Sequence, residues 1–185
     1  MSWLRSTELR GIALAAALAL IAPAALAQDA APKPAPEKGM SGGCEAFKWP
    51  LDKERAAFDA TDIENAVSGA ARGPLKEQAF ALTLVPVKDV GYTVPPAKKK
   101  HDGFGGLVAF AAPEKPGVYQ VTLSGEGWID LVQEGKALDA SDHSGAKNCP
   151  GLRKSVRFML DATPVVLQIS NAVADTIKVG IRPVE

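Results

Sequence analysis

Asp139, Ser141, Asp142 and His143 form the densest polar cluster of the chain, and Lys147, Asn148, Cys149, Arg153 and Lys154 follow closely. Carboxylates and a neutral imidazole at such short spacing can converge on a cation. Calcium asks for about six to eight oxygens, and only Asp139, Ser141, Asp142 and backbone carbonyls are on offer locally. The EF-hand spacing, with Gly at the sixth place and Glu at the twelfth, is not met. The other reading is a solvated loop whose Asp and Ser side chains cap turns. No metal and no cofactor is therefore expected. Arg153 and Lys154, beside Gly151, offer a second chemistry: an Arg fork can hold a carboxylate or another anionic group. They also fit outward-facing residues at the start of a strand.

Trp128 is the third candidate. Exposed on a sheet, it could stack on a sugar ring, as exposed Trp does in carbohydrate-binding modules. Placed between Gly127 and Ile129, it fits a core position equally well. Trp128, Ile129, Leu131 and Val132 leave no clean alternation to decide which face is inward. The ligand-binding candidates are thus Asp139, Asp142, His143, Arg153, Lys154 and Trp128. The run Lys98-Lys99-Lys100-His101-Asp102 before Gly103-Phe104-Gly105-Gly106 reads as a solvated excursion whose lysines discourage edge pairing. It is not a P-loop, since no Gly-Lys-Ser/Thr follows.

No G-x-S-x-G, H-E-x-x-H or C-x-x-C occurs, so no catalytic set is specified. A non-catalytic protein is expected. Lys and Arg total 21 and Asp and Glu total 21. This balance offers no field for nucleic acid.

Strands must position these residues. From Gln78 onward, Phe80, Leu82 and Leu84 alternate with Ala81, Thr83 and Val85. Tyr92-Thr93-Val94 is a short strand candidate stopped by Pro95-Pro96. Further candidates are Leu107 to Ala111, Val118 to Leu123, Trp128 to Val132, Val156 to Leu160, Val165 to Ile169 and Ile177 to Ile181. Period-two segments between Gly and Pro turns predict a mainly β fold, an antiparallel β-sandwich or jelly roll. Before it, Trp49-Pro50 and the charged run Asp52 to Arg55 predict a short exposed helix. Trp49, Leu51 and Phe58 would lay it on the main domain. Thr61, with Glu64 three residues on, predicts a second helical turn over 61–70.

The N-terminus predicts export. Arg5 and Arg10 precede an apolar run from Gly11 to Ala22, then Pro23 and Ala25-Leu26-Ala27. This order is that of a cleavable signal peptide over 1–27. The alternative is an uncleaved anchor, but the run falls short of the ~20 residues of a spanning helix. Residues 28–43, with Pro32, Pro34 and Pro36 among Ala, Lys and Gly, predict a flexible linker. Residues 44–185 then form a single β-sandwich domain with an N-terminal helical segment over 44–70. No second long apolar segment exists, so no stable membrane insertion of the mature chain is expected.

Cys44 and Cys149 are the two cysteines. In an oxidising compartment a pair is most simply a disulfide. Closing a loop of roughly 100 residues contributes up to about 4.7 kcal/mol in the chain-entropy treatment. The competing reading is two metal thiolates, which would need more ligands than His101 and His143 supply.

Gly117 to Leu123, Trp128 to Val132, Ser155 to Phe158 and a closing apolar strand pair together resemble the small β-sandwich domains appended to exported bacterial proteins, such as the pre-peptidase C-terminal type. Cys44 to Phe58 and Cys149 to Ser155 resemble an uncharacterised family of exported bacterial proteins. The first resemblance covers about a third of the chain and implies an accessory or binding role; the disulfide-tied helical segment departs from it.

The expectation is a periplasmic or secreted binding or accessory protein of the bacterial envelope, with an envelope protein or a glycan as partner. The alternatives are a structural or assembly component acting through protein contacts, and a hydrolase whose site has no recognised motif.

Overall fold

A computed structural model describes residues 42–98 and 102–184. All of them belong to one compact unit, Glu37–Glu185. The expected signal peptide and all but the last two residues of the expected linker lie outside the described residues, as do Lys99, Lys100 and His101.

The described chain opens with a short 3-10 turn (Cys44–Ala46), followed by helix α1 (Asp52–Asp59). Strands β1 (Glu64–Val67), β2 (Ala70–Pro74), β3 (Gln78–Thr83) and β4 (Val85–Pro86) come next. Then follow β5 (Phe104–Ala111), β6 (Gly117–Leu123), β7 (Trp128–Gln133) and β8 (Lys136–Ala137). The last four are β9 (Ala140–Gly145), β10 (Lys154–Leu160), β11 (Val165–Ala172) and β12 (Thr176–Pro183). One sheet runs β1-β3-β12-β6-β10-β9 and the other β2-β5-β11-β7-β8, with β4 also paired to β5. The two sheets pack face to face, so the fold is the β-sandwich that the alternation predicts. The sheets are mixed rather than purely antiparallel, because β1 runs parallel to β3 and β2 parallel to β5.

The pleat explains the core. Successive side chains of a strand point to opposite faces. On β12, Ile177, Val179 and Ile181 enter the core, as do Val121 and Leu123 on β6 and Phe158 and Leu160 on β10. Val108, Phe110, Leu131, Leu167 and Ile169 face them from the second sheet. Burying one such side chain contributes roughly 1.5–3 kcal/mol.

Polar residues on the opposite faces are also buried, because each sheet wears a strap. Residues 44–59 cover the outer face of the first sheet. Trp49, Leu51 and Phe58 pack with Ala146, Cys149 and Leu152 in a second apolar cluster. The Trp49 indole N–H donates to Ser155 Oγ (3.1 Å), and Ser155 Oγ meets Thr122 Oγ1 at 3.0 Å. The Arg157 guanidinium lies 3.9 Å over the Trp49 ring. Gly180 lets α1 come close: a Cβ there would stand 3.3 Å from the Phe58 ring. The Cys44–Cys149 disulfide ties the strap down. Arg55 rests on the bridge, with Nη2 at 3.2 and 3.1 Å from its two sulfurs.

Residues 90–98 form the second strap, over the outer face of the other sheet. The strand expected at Tyr92 to Val94 is absent here. Pro95 and Pro96 have no N–H to give a ladder, and the N–H groups of Thr93 and Val94 donate instead to the Gln168 side-chain oxygen (2.7 and 3.2 Å). Tyr92 donates its hydroxyl to the Ile169 carbonyl (2.9 Å). Gly105 permits that contact, since a Cβ there would sit 2.0 Å from the Tyr92 hydroxyl.

Two other expectations change. Residues 61–70 hold β1 and the turn into β2, not a helical turn. Ser68 N–H donates to Thr83 and Gly69 N–H to Leu107, so this stretch finds partners in both sheets. A turn of helix would have to form here without enough length to offset its nucleation cost. The helix α1 is also less exposed than its charges suggest: Glu54 points inward and is 4% exposed.

Candidate functional site

A cleft of about 180 Å³ opens where β7, β10 and β11 end together, lined by Lys98, Glu126, Trp128, Arg153, Lys154 and Asn171. Trp128 begins β7. Ile129 and Leu131 belong to the core, so the pleat turns Trp128 and Asp130 to the outer face of their sheet. The ring is fixed by its indole N–H, which donates to Asp130 Oδ1 at 2.9 Å. Asp130 Oδ2 in turn accepts from the Ala97 backbone N–H (3.2 Å), at the end of the second strap. Burial pushes the Asp130 carboxyl above its usual range; the Trp128 and Ala97 donors and the Lys154 charge pull the other way without cancelling it.

Two ammonium groups sit over the Trp128 ring. Lys154 Nζ lies 4.2 Å from the centroid and Lys98 Nζ 5.3 Å. The face of an indole attracts a cation through its quadrupole, most strongly when water is excluded. Lys154 opens β10 and is 7% exposed, so it is far from the outward-facing strand residue that its type suggests. Arg153 precedes it on the loop that Cys149 anchors. Its Nη1 donates to the Ala146 carbonyl (3.2 Å) and its Nη2 to Glu126 Oε1 (2.9 Å). The wall opposite is Asn171, in a left-handed conformation (φ 55) where the β11–β5 register shifts between Ile169 and Ala172.

The six residues singled out in the sequence therefore separate. Trp128, Arg153 and Lys154 meet in the cleft. Asp139, Asp142 and His143 do not line it. The last two lie on β9, so the cluster read as a loop is in large part an edge strand of the first sheet. Asp142 is paired with Lys48 at 2.6 Å. That hydrogen bond, helped by the His143 backbone N–H, holds its carboxyl below the usual range. His143 is exposed. Among the described residues, no group of three or more His, Cys, Asp or Glu side chains is placed to hold a metal ion.

Sequence reasoning missed Asp130, Lys98, Glu126 and Asn171. Lys98 belongs to the basic run read as a solvated excursion. The signal available was Trp128 and Asp130 two apart on one strand, a spacing that puts both on one face. No family model matches the chain, and neither curated proteins nor solved structures yield a match.

Proposed function

We propose that this chain is an exported, non-catalytic binding protein of the bacterial envelope, and that the Trp128 cleft is its ligand site. The observation that carries this reading is Lys154: a buried lysine whose ammonium is seated on a fixed aromatic ring at the wall of a cleft. Ordering a lysine costs up to about 2 kcal/mol of side-chain entropy, and a site built in advance of its ligand is the usual use of such an outlay. The lining supports binding rather than bond-breaking. It holds three cations, and its one carboxylate, Glu126, is engaged by Arg153. A glycan fits this reading better than an envelope protein, because the cleft is concave and small.

The test is Trp fluorescence of the purified mature protein titrated with a panel of envelope-type oligosaccharides. Binding that shifts the emission and is lost in Trp128→Ala supports the site. Binding that survives in Trp128→Ala but fails in Asp142→Ala with His143→Ala would move it to β9.

A second reading, assembly through sheet edges, rests on the groove between the edge strands β1 and β2, beside the exposed Val67. A monomer at micromolar concentration in gel filtration would speak against it.

A further inference from the structure

We infer that the cleft recognises an oxyanion, the carboxylate or phosphate of an acidic glycan, and that Trp128 serves as a seat for lysines rather than as a platform for a sugar ring. This rests on the reading of the cleft as the ligand site, and adds the class of ligand.

The placement of charge is the argument. A stacking platform needs its ring face open, so that sugar C–H groups can lie on it. Here the ring is approached by Lys154 Nζ at 4.2 Å and Lys98 Nζ at 5.3 Å. A ligand entering the cleft meets ammonium groups. Arg153 adds a guanidinium that is steered by the Ala146 carbonyl and Glu126. Asn171 closes the wall, its Oδ1 accepting from the Asp102 backbone N–H at 3.3 Å.

Charge counts the same way. Lys98, Arg153 and Lys154 line the cleft against one carboxylate, Glu126, with Asp130 behind the ring. Glu126 is bound to Arg153 and Asp130 to the Trp128 indole and the Ala97 N–H. An oxyanion complements the positive charge of this lining, and charge-assisted hydrogen bonds are roughly twice as strong as neutral ones.

The experiment compares three probes by calorimetry on the mature protein: an oligouronate, a phosphate-bearing oligosaccharide and a neutral oligosaccharide of the same length. The expected result is binding of one or both acidic probes at least about tenfold tighter than the neutral one. The affinity should fall as salt rises to roughly 0.5 M. Preference between the two acidic probes identifies carboxylate or phosphate as the source. Lys154→Met and Lys98→Met should each weaken acidic binding by roughly tenfold, with melting temperatures near wild type. Lys98 is exposed, so its variant decides the matter if Lys154→Met fails to fold. Equal binding of neutral and acidic probes, lost in Trp128→Ala, would overturn the oxyanion and leave the ligand site standing. No binding of any probe by the folded protein would overturn both.

Discussion

Glu54 Oε1 accepts a hydrogen bond from Arg182 Nε at 2.8 Å, joining the inner face of α1 to β12 under the first strap. The same oxygen accepts from Gln120 Nε2 at 2.5 Å, while Glu54 Oε2 is buried with no hydrogen-bond partner. The ion pair is thus poorly solvated and only half satisfied. Such pairs are costly to form and costlier to break from one side, because the remaining charge is left buried.

Replacing Glu54 by Ala should therefore destabilise the protein by about 3 kcal/mol, leaving the Arg182 guanidinium without its carboxylate. Urea denaturation checks this. A double variant that replaces Glu54 and Arg182 with Met and Leu should lose less than Glu54→Ala alone, since no buried charge is stranded.

The disulfide spans 105 residues. Replacing Cys44 and Cys149 by Ser should cost up to about 4 kcal/mol, and less if the unfolded chain keeps some structure. The strap should stay docked, because Trp49, Leu51 and Phe58 are held by packing as well as by the bridge. Non-reducing peptide mapping should find Cys44 joined to Cys149 and free-thiol labelling should be negligible. After reduction, the nearby Arg55 guanidinium favours the thiolate. Arg55→Leu should then slow alkylation of the reduced cysteines at neutral pH.

Tyr92 should titrate late. Burial first, and the nearby Asp130 carboxylate second, push its hydroxyl from 10.0 up to about 12. The folded protein holds this proton more tightly than the unfolded chain does. Its contribution to stability is therefore complete below pH 10.0 and is lost as pH rises to about 12. Ultraviolet titration of the two tyrosines should resolve the late one, and Tyr92→Phe should remove it. Asp130→Asn should lower the Tyr92 value by removing the negative charge. A Tyr92 that ionises at its ordinary value would show the second strap to be open in solution.

Processing tests the expectation of export. Protein recovered from the periplasm or medium should begin at Gln28, or at its pyroglutamate form. Intact mass that retains residues 1–27 would remove that foundation.

The sequence reveals what the pleat makes periodic. On β10, Val156, Phe158 and Leu160 alternate with Arg157 and Met159; on β12, Ile177, Val179 and Ile181 alternate with Lys178 and Gly180. The three named first on each strand face the core. It hides what the straps do. Gln120, Thr122 and Ser155 look like solvent-facing strand residues, yet they are buried under 44–59. Trp128 had no legible face because β7 is covered on both sides: Ile129 and Leu131 by the opposite sheet, and Asp130 by the end of the second strap. β1 and β2 were unreadable for another reason. They pair in parallel with β3 and β5, and short parallel edge strands carry only a brief alternation: Ala66 is buried and Val67 is 62% exposed. The cleft was half legible, since Trp128, Arg153 and Lys154 stand out by type, but their meeting depends on sheet packing that no local pattern encodes.

β12 lies between β3 and β6 in the middle of its sheet, although it is the last of the described strands in chain order. Its partners on the two sides come from segments separated from it by roughly 55 to 100 residues, pairings that are slow to find. Only β12 joins β1 and β3 on one side of the described sheet to β6, β10 and β9 on the other by ladder hydrogen bonds. Loss of β12 would therefore be a failure of the whole sheet rather than of one edge.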